Sequence, residues 1–242
     1  MMQVKQRVVI EPRREAGEPE LSGPGLLLVN PLEARVAGDL AKEAGWHRYP
    51  TFPGALWAAP RGGGWIIGPA LGAPVAAMAL EKTIALGGEQ VIAVGWCGAL
   101  SPQLQVGDLL LPTLAVSEEG TSRHYPVAGP AVADPLLLER LASHLEEENQ
   151  SLHLGPVWST DAPYRECVEK VVAYREQGVM GVEMEFAALV QVAAFRGVPL
   201  AAVLLVSDMV AEEGAWQPEY RKINFKQRSR SLLKRLWQIV AP

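Results

Sequence analysis

Runs of consecutive apolar residues alternate with longer segments of helical character along this chain of 242 residues. The near-continuous apolar run 198–206 is typical of a strand that is covered on both faces of a sheet. The apolar segment 186–195 predicts a buried helix that ends at Gly197 and Pro199. Such alternation predicts an α/β protein whose sheet carries helices on both faces.

The same reasoning assigns elements along most of the chain. Further strands are predicted at 26–29, 91–94, 109–111, 113–116 and 154–158, and further helices at 32–44, 74–86, 135–149, 165–176 and 220–239. Pro31 suits a helix start because its missing N–H would have no partner there, and Asp134 with Pro135 marks another start. The turn-rich segment 50–64 is expected to hold one short strand at most.

Composition narrows the class of protein. Hydrophobic residues make up 49% of the chain, and the net charge of −5 gives no reason to expect nucleic acid as a partner. Cys97 and Cys167 lie far apart without further ligands at metal spacing, so we expect neither a disulfide framework nor a metal site. We expect a cytoplasmic protein with no signal peptide and no membrane span. Residues 1–24 are expected to form a polar arm and residues 25–242 a single domain.

Three carboxylates border the apolar helix and strand between residues 186 and 206. Glu183 and Glu185 stand just before the helix, and Asp208 emerges at the carboxyl end of the strand. Ligands of α/β sheets usually bind at that edge. Because a carboxylate beside an apolar unit needs a hydrogen-bonding partner, a ligand is one candidate for that partner.

Five collinear parts of the chain share their pattern with a known superfamily. They are the sequence VEMEFAAL at 182–189 followed by Ser207-Asp208, the glycine-rich stretch 68–100, Gly107-Asp108, the loop 120–125 and the loop 159–164. Together they resemble the purine nucleoside phosphorylase and uridine phosphorylase superfamily, which includes nucleosidases. The resemblance implies a three-layer α/β/α sandwich with a mixed, barrel-like central sheet. It also implies a nucleoside as the small-molecule partner and assembly into a dimer, trimer or hexamer.

Cleavage of a nucleoside needs a hold on the ribose and a proton for the leaving base. The resemblance implies that Glu185 accepts hydrogen bonds from the two ribose hydroxyls and that Met184 packs beneath the sugar. It implies that Glu183 lies behind these two residues. The alternative for Glu185 is a helix cap, since negative charge is favoured at a helix N-terminus. Asp208 is the candidate general acid, because protonation helps a purine-type base to depart. The alternative for Asp208 is a turn residue that ends the strand.

The segments expected to bind phosphate depart from the phosphorylase pattern. Val29 stands where the superfamily has a glycine that approaches phosphate, and Glu33 stands where it has an arginine. Beside Gly95, the second such segment lacks its arginine and carries Trp96 in place of a hydroxyl residue. Arg48 matches a third arginine, which some members lend to a neighbouring subunit. Either phosphate binds in a rearranged pocket, or water is the nucleophile with Glu33 as its base; a first-turn helix residue is the structural alternative for Glu33.

The base pocket departs from that pattern as well. Pro163 replaces the phenylalanine that stacks on the base, so stacking is expected from Tyr164, from Trp96 or from elsewhere. Filling of the vacated phosphate site and plain core packing are the alternatives for Trp96. His124 is a candidate contact to the ribose or to a neighbouring subunit, with a structural role as its alternative.

The resemblance therefore predicts phosphorolysis of a purine-type nucleoside to the free base and ribose 1-phosphate. Inorganic phosphate is then a co-substrate, and no other cofactor is expected. Hydrolysis by water that Glu33 activates is one alternative. The alternative from another class is a regulatory protein that binds a nucleoside without turning it over.

Overall fold

The computed structural model describes residues 8–51, 54–60, 62–146, 151–210, 216 and 218–241. Within these ranges, nine strands form one mixed sheet, accompanied by six α-helices. The strands are β1 (Pro24–Leu28), β2 (His47–Thr51), β3 (Gly54–Ala58), β4 (Trp65–Gly68), β5 (Gln90–Ala99), β6 (Leu109–Glu118), β7 (Leu152–Thr160), β8 (Gly181–Glu183) and β9 (Leu200–Met209). The helices are α1 (Pro31–Glu43), α2 (Ala73–Ala85), α3 (Pro135–Leu145), α4 (Val168–Glu176), α5 (Phe186–Arg196) and α6 (Ile223–Val240).

The sheet closes on itself at one end. Its strand order is β2-β3-β4-β1-β5-β8-β7-β6-β9, and β9 pairs a second time with β5. This pairing joins β5, β8, β7, β6 and β9 into a barrel, from which β1, β4, β3 and β2 extend as an open sheet. Along one edge β5 pairs first with β1 and then with β8, and along the other edge it pairs with β9.

The helices lie on both faces of the open part of the sheet. Strands β4 and β5 flank β1 on opposite sides, so right-handed crossovers place α1 and α2 on opposite faces. Helix α6 packs against α1, and α5 packs against α2. The predicted α/β/α arrangement around a mixed, barrel-like sheet is therefore confirmed.

Most of the predicted elements form within a few residues of their expected bounds. The carboxylate of Asp134 caps α3 by accepting the N–H of Leu137 at 2.8 Å. Gly197 ends α5 with a φ of 71°, a left-handed conformation that glycine adopts without strain. Helix α3 ends at Leu145, and residues 147–149 of its predicted last turn lie outside the described residues.

Two parts of the sheet differ from the sequence prediction. Segment 50–64 was expected to hold one short strand at most, and it contains β3 and the end of β2. Strand β2 was not predicted, and it pairs with β3 as an antiparallel hairpin. Strands β4 and β8 were not predicted, because four and three residues are too few to show a period. They form because longer neighbours pair with them: β4 lies between β3 and β1, and β8 lies between β5 and β7.

The described part of the N-terminal segment packs on α2 without forming a helix or strand. Leu21 is buried, and its N–H donates to the carbonyl of Leu86 at 2.8 Å. Lys82 of α2 binds the carboxylate of Glu18 at 2.6 Å and the carbonyl of Arg13 at 2.9 Å. The boundary between arm and domain stays a prediction.

Neither membrane spans nor metal clusters are found among the described residues. None of the helices there combines the length with the apolar character that crossing a bilayer demands. No group of three or more His, Cys, Asp or Glu side chains is placed there to hold a metal ion. Cys97 is buried and Cys167 is exposed, and both are free thiols.

Close contact between β1 and β4 makes Gly25 intolerant of a side chain. A Cβ there would lie 2.0 Å from the ring of Trp65, which is 0% exposed and has no room to move. We expect Gly25→Ala to lower the free energy of unfolding by about 3 kcal/mol, the upper end for an overpacked core, as measured by urea denaturation. Gly120→Ala is the control, because its Cβ would meet nothing closer than 3.6 Å; equal losses in both variants would contradict the prediction.

Candidate active site

The segment that joins β8 to α5 carries two buried carboxylates with different surroundings. Glu183 is 5% exposed and accepts the N–H groups of Glu185 and Phe186, each at 2.7 Å, and the hydroxyl of Ser159. The N–H of Ala187 donates to that hydroxyl oxygen at 3.0 Å. Burial raises the pKa of Glu183. Glu183 and Ser159 together therefore cap the N-terminus of α5.

Glu185 is equally buried, but its carboxylate takes no part in that cap. It occupies the N-cap position of α5, yet its carboxylate accepts no hydrogen bond from the first turn. Instead one oxygen accepts the N–H of Gly72 at 2.6 Å, just before α2 begins. Burial, and then the charge of Glu183, raise the pKa of Glu185 to about 8. Met184, half-buried, lies between the two carboxylates in the chain. A cap is thus not what holds Glu185 in place.

The closed sheet brings Asp208 to the same place. Gly98 of β5 pairs with Val182 of β8 along one edge and with Asp208 of β9 along the other. The residues that lead to Glu185 and the carboxylate of Asp208 therefore flank a single glycine. Asp208 is partly exposed, and its two oxygens accept the hydroxyl of Ser207 at 2.6 Å and the indole N–H of Trp216 at 2.8 Å.

Glu33 lies at the carboxyl end of β1, in the first turn of α1, and is 2% exposed. Its Oε1 accepts the indole N–H of Trp96 at 2.7 Å and the hydroxyl of Ser229 from α6. Its Oε2 is buried and has no partner among the described residues. Burial raises the pKa of Glu33. The first-turn position alone does not explain this environment, because tertiary donors from β5 and α6 fix the carboxyl group.

Two aromatic side chains pack on the indole ring of Trp96, whose N–H donates to Glu33. Tyr220 stacks on its ring at 5.5 Å between centroids, and Phe225 contacts it edge-on at 5.1 Å. A Cβ on Gly95 would lie 2.7 Å from Cγ2 of Val29, so the two strands approach closely there. The position where the sequence suggested a vacated phosphate site is thus occupied by described side chains.

Three predicted site residues lie at the surface. Tyr164 is 96% exposed, and His124 and Arg48 are also exposed. Arg48, on β2, lines a surface cavity of about 490 Å³ together with Arg35 and Lys42 of α1. Val182, which leads to Glu183, Met184 and Glu185, thus pairs with the same residue as Asp208, namely Gly98. The side chains of Tyr164, His124 and Arg48 lie exposed at the surface.

Sequence reasoning did not assign several residues that build the site. Gly72 and Ser159 lie inside segments that carried the resemblance, so their position in a turn and at a strand end was a usable signal. Trp216 and Ser229 gave no such signal. Both residues follow β9 in the chain, and they reach Asp208 and Glu33 through tertiary hydrogen bonds.

The raised pKa of Glu185 has a measurable consequence for stability. Its carboxyl holds a proton in the folded state up to about pH 8, whereas its ordinary pKa is 4.5. The unfolded chain releases that proton first, so the free energy of unfolding should fall as the pH rises through this window. Glu185→Gln stays neutral and should show a shallower fall in urea denaturation at pH values between about 5 and 8. An equal fall in both proteins would contradict the prediction.

Comparison with known proteins assigns this chain to a family. The model of the phosphorylase superfamily matches residues 54–241. Guanosine phosphorylase of Halorubrum lacusprofundi is 36% identical over 137 residues, which span 56% of this chain and 57% of that relative. A DeoD-type purine nucleoside phosphorylase of Myxococcus xanthus is 31% identical over 163 residues, or 66% of this chain and 68% of that relative. Against the first of these relatives, the chain thus spans little more than half of the protein.

A solved structure agrees with the fold. Uridine phosphorylase from Vibrio fischeri superposes with a TM-score of 0.71 over 90% of this chain and 89% of that chain, at 24% identity. At this identity the likeness concerns the fold alone. The family match covers most of the chain, including β8, α5 and β9. On this evidence the chain belongs to the phosphorylase superfamily.

Proposed function

We propose that this protein cleaves the N-glycosidic bond of a purine-type nucleoside and transfers the ribosyl group to inorganic phosphate. One observation carries the proposal: Glu185 is a buried carboxylate that does not cap its helix. The strand that leads to it, β8, pairs with the same residue of β5, Gly98, as does Asp208 of β9. The names of the relatives, which are guanosine and purine nucleoside phosphorylases, support phosphate as the acceptor.

Glu185 is proposed to hold the ribose. The carboxylate has one oxygen on the N–H of Gly72 and can accept both vicinal hydroxyls with its remaining lone pairs. Two hydroxyl donors favour the ionised form, so ribose binding is expected to lower the raised pKa of Glu185. Met184, half-buried beside it, supplies the apolar surface beneath the sugar. A fixed carboxylate near the ribose also stabilises positive charge on the sugar as the bond breaks.

Asp208 is proposed to serve the leaving base. It lies at the end of β9, partly exposed, with Trp216 and Ser207 donating to its two oxygens. A purine leaves more readily when its imidazole nitrogen is protonated, and a carboxyl group at this edge is suited to that transfer. Trp216 must release its hydrogen bond for the base to take its place beside Asp208.

Arg48 is proposed to bind phosphate, and assembly of the chain into an oligomer is expected to complete the phosphate site. Arg48 lies in the open hairpin of β2 and β3, exposed to solvent. Tyr164 and His124 are exposed as well. Because these predicted site residues face outward, we propose that a homo-oligomer, a dimer, trimer or hexamer, brings them to a neighbouring site.

Base release from a nucleoside panel tests this function. We expect wild-type protein to release base from purine nucleosides only when phosphate is present, and Glu185→Gln to lower kcat/KM about 100-fold or more, since two charge-assisted hydrogen bonds are lost. Glu176→Gln, on the exposed end of α4, is the matched control. Binding of a nucleoside without release of base would instead favour a regulatory protein that has no turnover.

Hydrolysis is the second candidate, and the environment of Glu33 favours it. The carboxyl is buried where the resemblance expects phosphate-binding residues, and its Oε2 has no donor among the described residues. A water molecule bound there would supply that donor, and Glu33 would act as its base. The same burial that raises the pKa of Glu33 strengthens it as a base.

Glu33→Gln separates the two reactions. If water is the nucleophile, base release proceeds without phosphate, and this variant should lower its rate about 100-fold or more. Ser229→Ala removes one donor to the same carboxyl and should leave most of that rate. Phosphate-independent release that survives Glu33→Gln would remove Glu33 from the reaction.

A further inference from the structure

A surface cavity lies between helix α1 and the hairpin of β2 and β3. Its volume is about 490 Å³, which falls within the range typical of small-molecule sites. Much of its wall consists of small residues from α1, β3 and β4, namely Ala34, Gly38, Gly54, Ala55 and Gly68. A Cβ on Gly38 would lie 3.2 Å from Nε1 of Trp57, so the indole packs closely on the helix there. The cavity is therefore open at positions that larger side chains would fill.

Three cationic side chains border this cavity without a counter-charge. They are Arg35 and Lys42 of α1 and Arg48 of β2, and all three are exposed. Neither a hydrogen bond nor an ion pair to these side chains is found in the part of the chain that the structure describes. Asp39, the acidic residue of the lining, lies one turn from Arg35, and no ion pair between the two is found among the same residues. The cavity thus carries excess positive charge, although the whole chain has a net charge of −5.

An aromatic ring lies beside these cations. Trp57 of β3 is directly opposite Arg48 of β2 in the antiparallel register, and opposite residues of such a pair project from the same face. Trp57 is half-buried and lines the cavity. Its indole offers a flat apolar surface on which a planar ring can stack.

This combination matches the two parts of a nucleoside phosphate. A guanidinium group pairs bidentately with phosphate oxygens, and a lysine ammonium adds a compact positive charge. A cleft lined by one sign of charge raises the local concentration of ions of the opposite sign. The base of a nucleotide stacks on aromatic side chains, because every base has a π-face.

We propose that this cavity binds a nucleoside phosphate, whose phosphate groups contact Arg35 and Lys42 and whose base stacks on Trp57. The site is distinct from the proposed reaction site, because neither Glu185 nor Asp208 lines the cavity. The inference goes beyond the proposed function, since binding at this cavity requires no turnover of a nucleoside.

Titration calorimetry with adenosine 5′-diphosphate tests this site. We expect the wild-type protein to bind the probe, and Arg35→Gln and Lys42→Gln to raise its Kd about 10-fold each and about 100-fold together, because each removes a charge-assisted contact. Arg48 stays unchanged in this test, since it is also proposed to bind phosphate. The matched control combines Arg230→Gln with Lys234→Gln, which removes the same charge from exposed positions of α6 and should keep the wild-type Kd. An equal Kd in the wild-type protein and the double cavity variant would overturn the proposal.

Ala55→Leu distinguishes a shaped site from a basic surface. This variant keeps all three cations and puts a larger side chain in the wall of the cavity. We expect it to weaken binding of the nucleotide, whereas attraction by surface charge alone would leave the Kd unchanged and contradict the proposal. Inorganic diphosphate should bind more weakly than adenosine 5′-diphosphate, because it has no base to stack on Trp57. Equal affinity for the two would overturn the assignment of a nucleoside phosphate.

Glu185→Gln separates this cavity from the proposed reaction site. The variant should bind adenosine 5′-diphosphate with the wild-type Kd, because Glu185 does not line the cavity. Loss of binding in Glu185→Gln with an unchanged Kd in the cavity variants would place the nucleotide at the reaction site and overturn the proposal. A wild-type protein that does not bind the probe would overturn it as well. Base release is measured separately, so the proposed function and this inference can fail independently.

Discussion

The double pairing of β5 at Gly98 is the constraint on which the site depends. A Cβ at this position would lie 2.8 Å from Cγ2 of Val210, 3.2 Å from Oδ2 of Asp208 and 3.3 Å from Cγ1 of Val182. A side chain on this residue would crowd side chains that come from both edges of β5. The register of β5 with β9 also shifts between Cys97 and Gly98, which turns the end of β9. The pairing of β5 with β8 and β9 thus closes the barrel and brings Asp208 beside the strand that leads to Glu183 and Glu185.

The buried carboxylates differ in how completely the protein satisfies them, and this difference separates structural from functional roles. Glu183 accepts two backbone N–H groups and a hydroxyl, which is what a helix cap requires. Glu185 accepts the N–H of Gly72, and one buried oxygen of Glu33 has no partner among the described residues. A buried acceptor without a donor is costly, so the protein alone does not account for these two. A nucleoside and its attacking group would supply the missing donors.

The surroundings of Glu33 are built by residues that lie far apart in the sequence. Trp96 of β5 and Ser229 of α6 donate to Glu33, while Tyr220 and Phe225 pack on the indole. Helix α6 therefore takes part in shaping the site as well as covering the sheet. In the superfamily pattern this region is expected to present cations and hydroxyls to phosphate, and here it presents aromatic rings and a carboxyl. In the proposed function, this difference in chemistry is the reason to test water as well as phosphate as the nucleophile.

The sequence determined the elements whose signals are local. The apolar run of β9, the cap of α3 by Asp134 and the end of α5 at Gly197 follow from hydrophobic pattern and capping chemistry. The motif at 182–189 with Asp208 predicted which residues bind the ribose and the base, and this stays a prediction. The hairpin of β2 and β3 and the short strands β4 and β8 were missed, because their pairing energy comes from distant strands. Likewise only the tertiary structure showed that Glu183 caps α5 and that Ser229 reaches Glu33. The physical reason is the same in each case: a side chain's charge state and partners depend on what the closed sheet and α6 bring beside it, and contacts between residues up to 196 positions apart leave no local pattern.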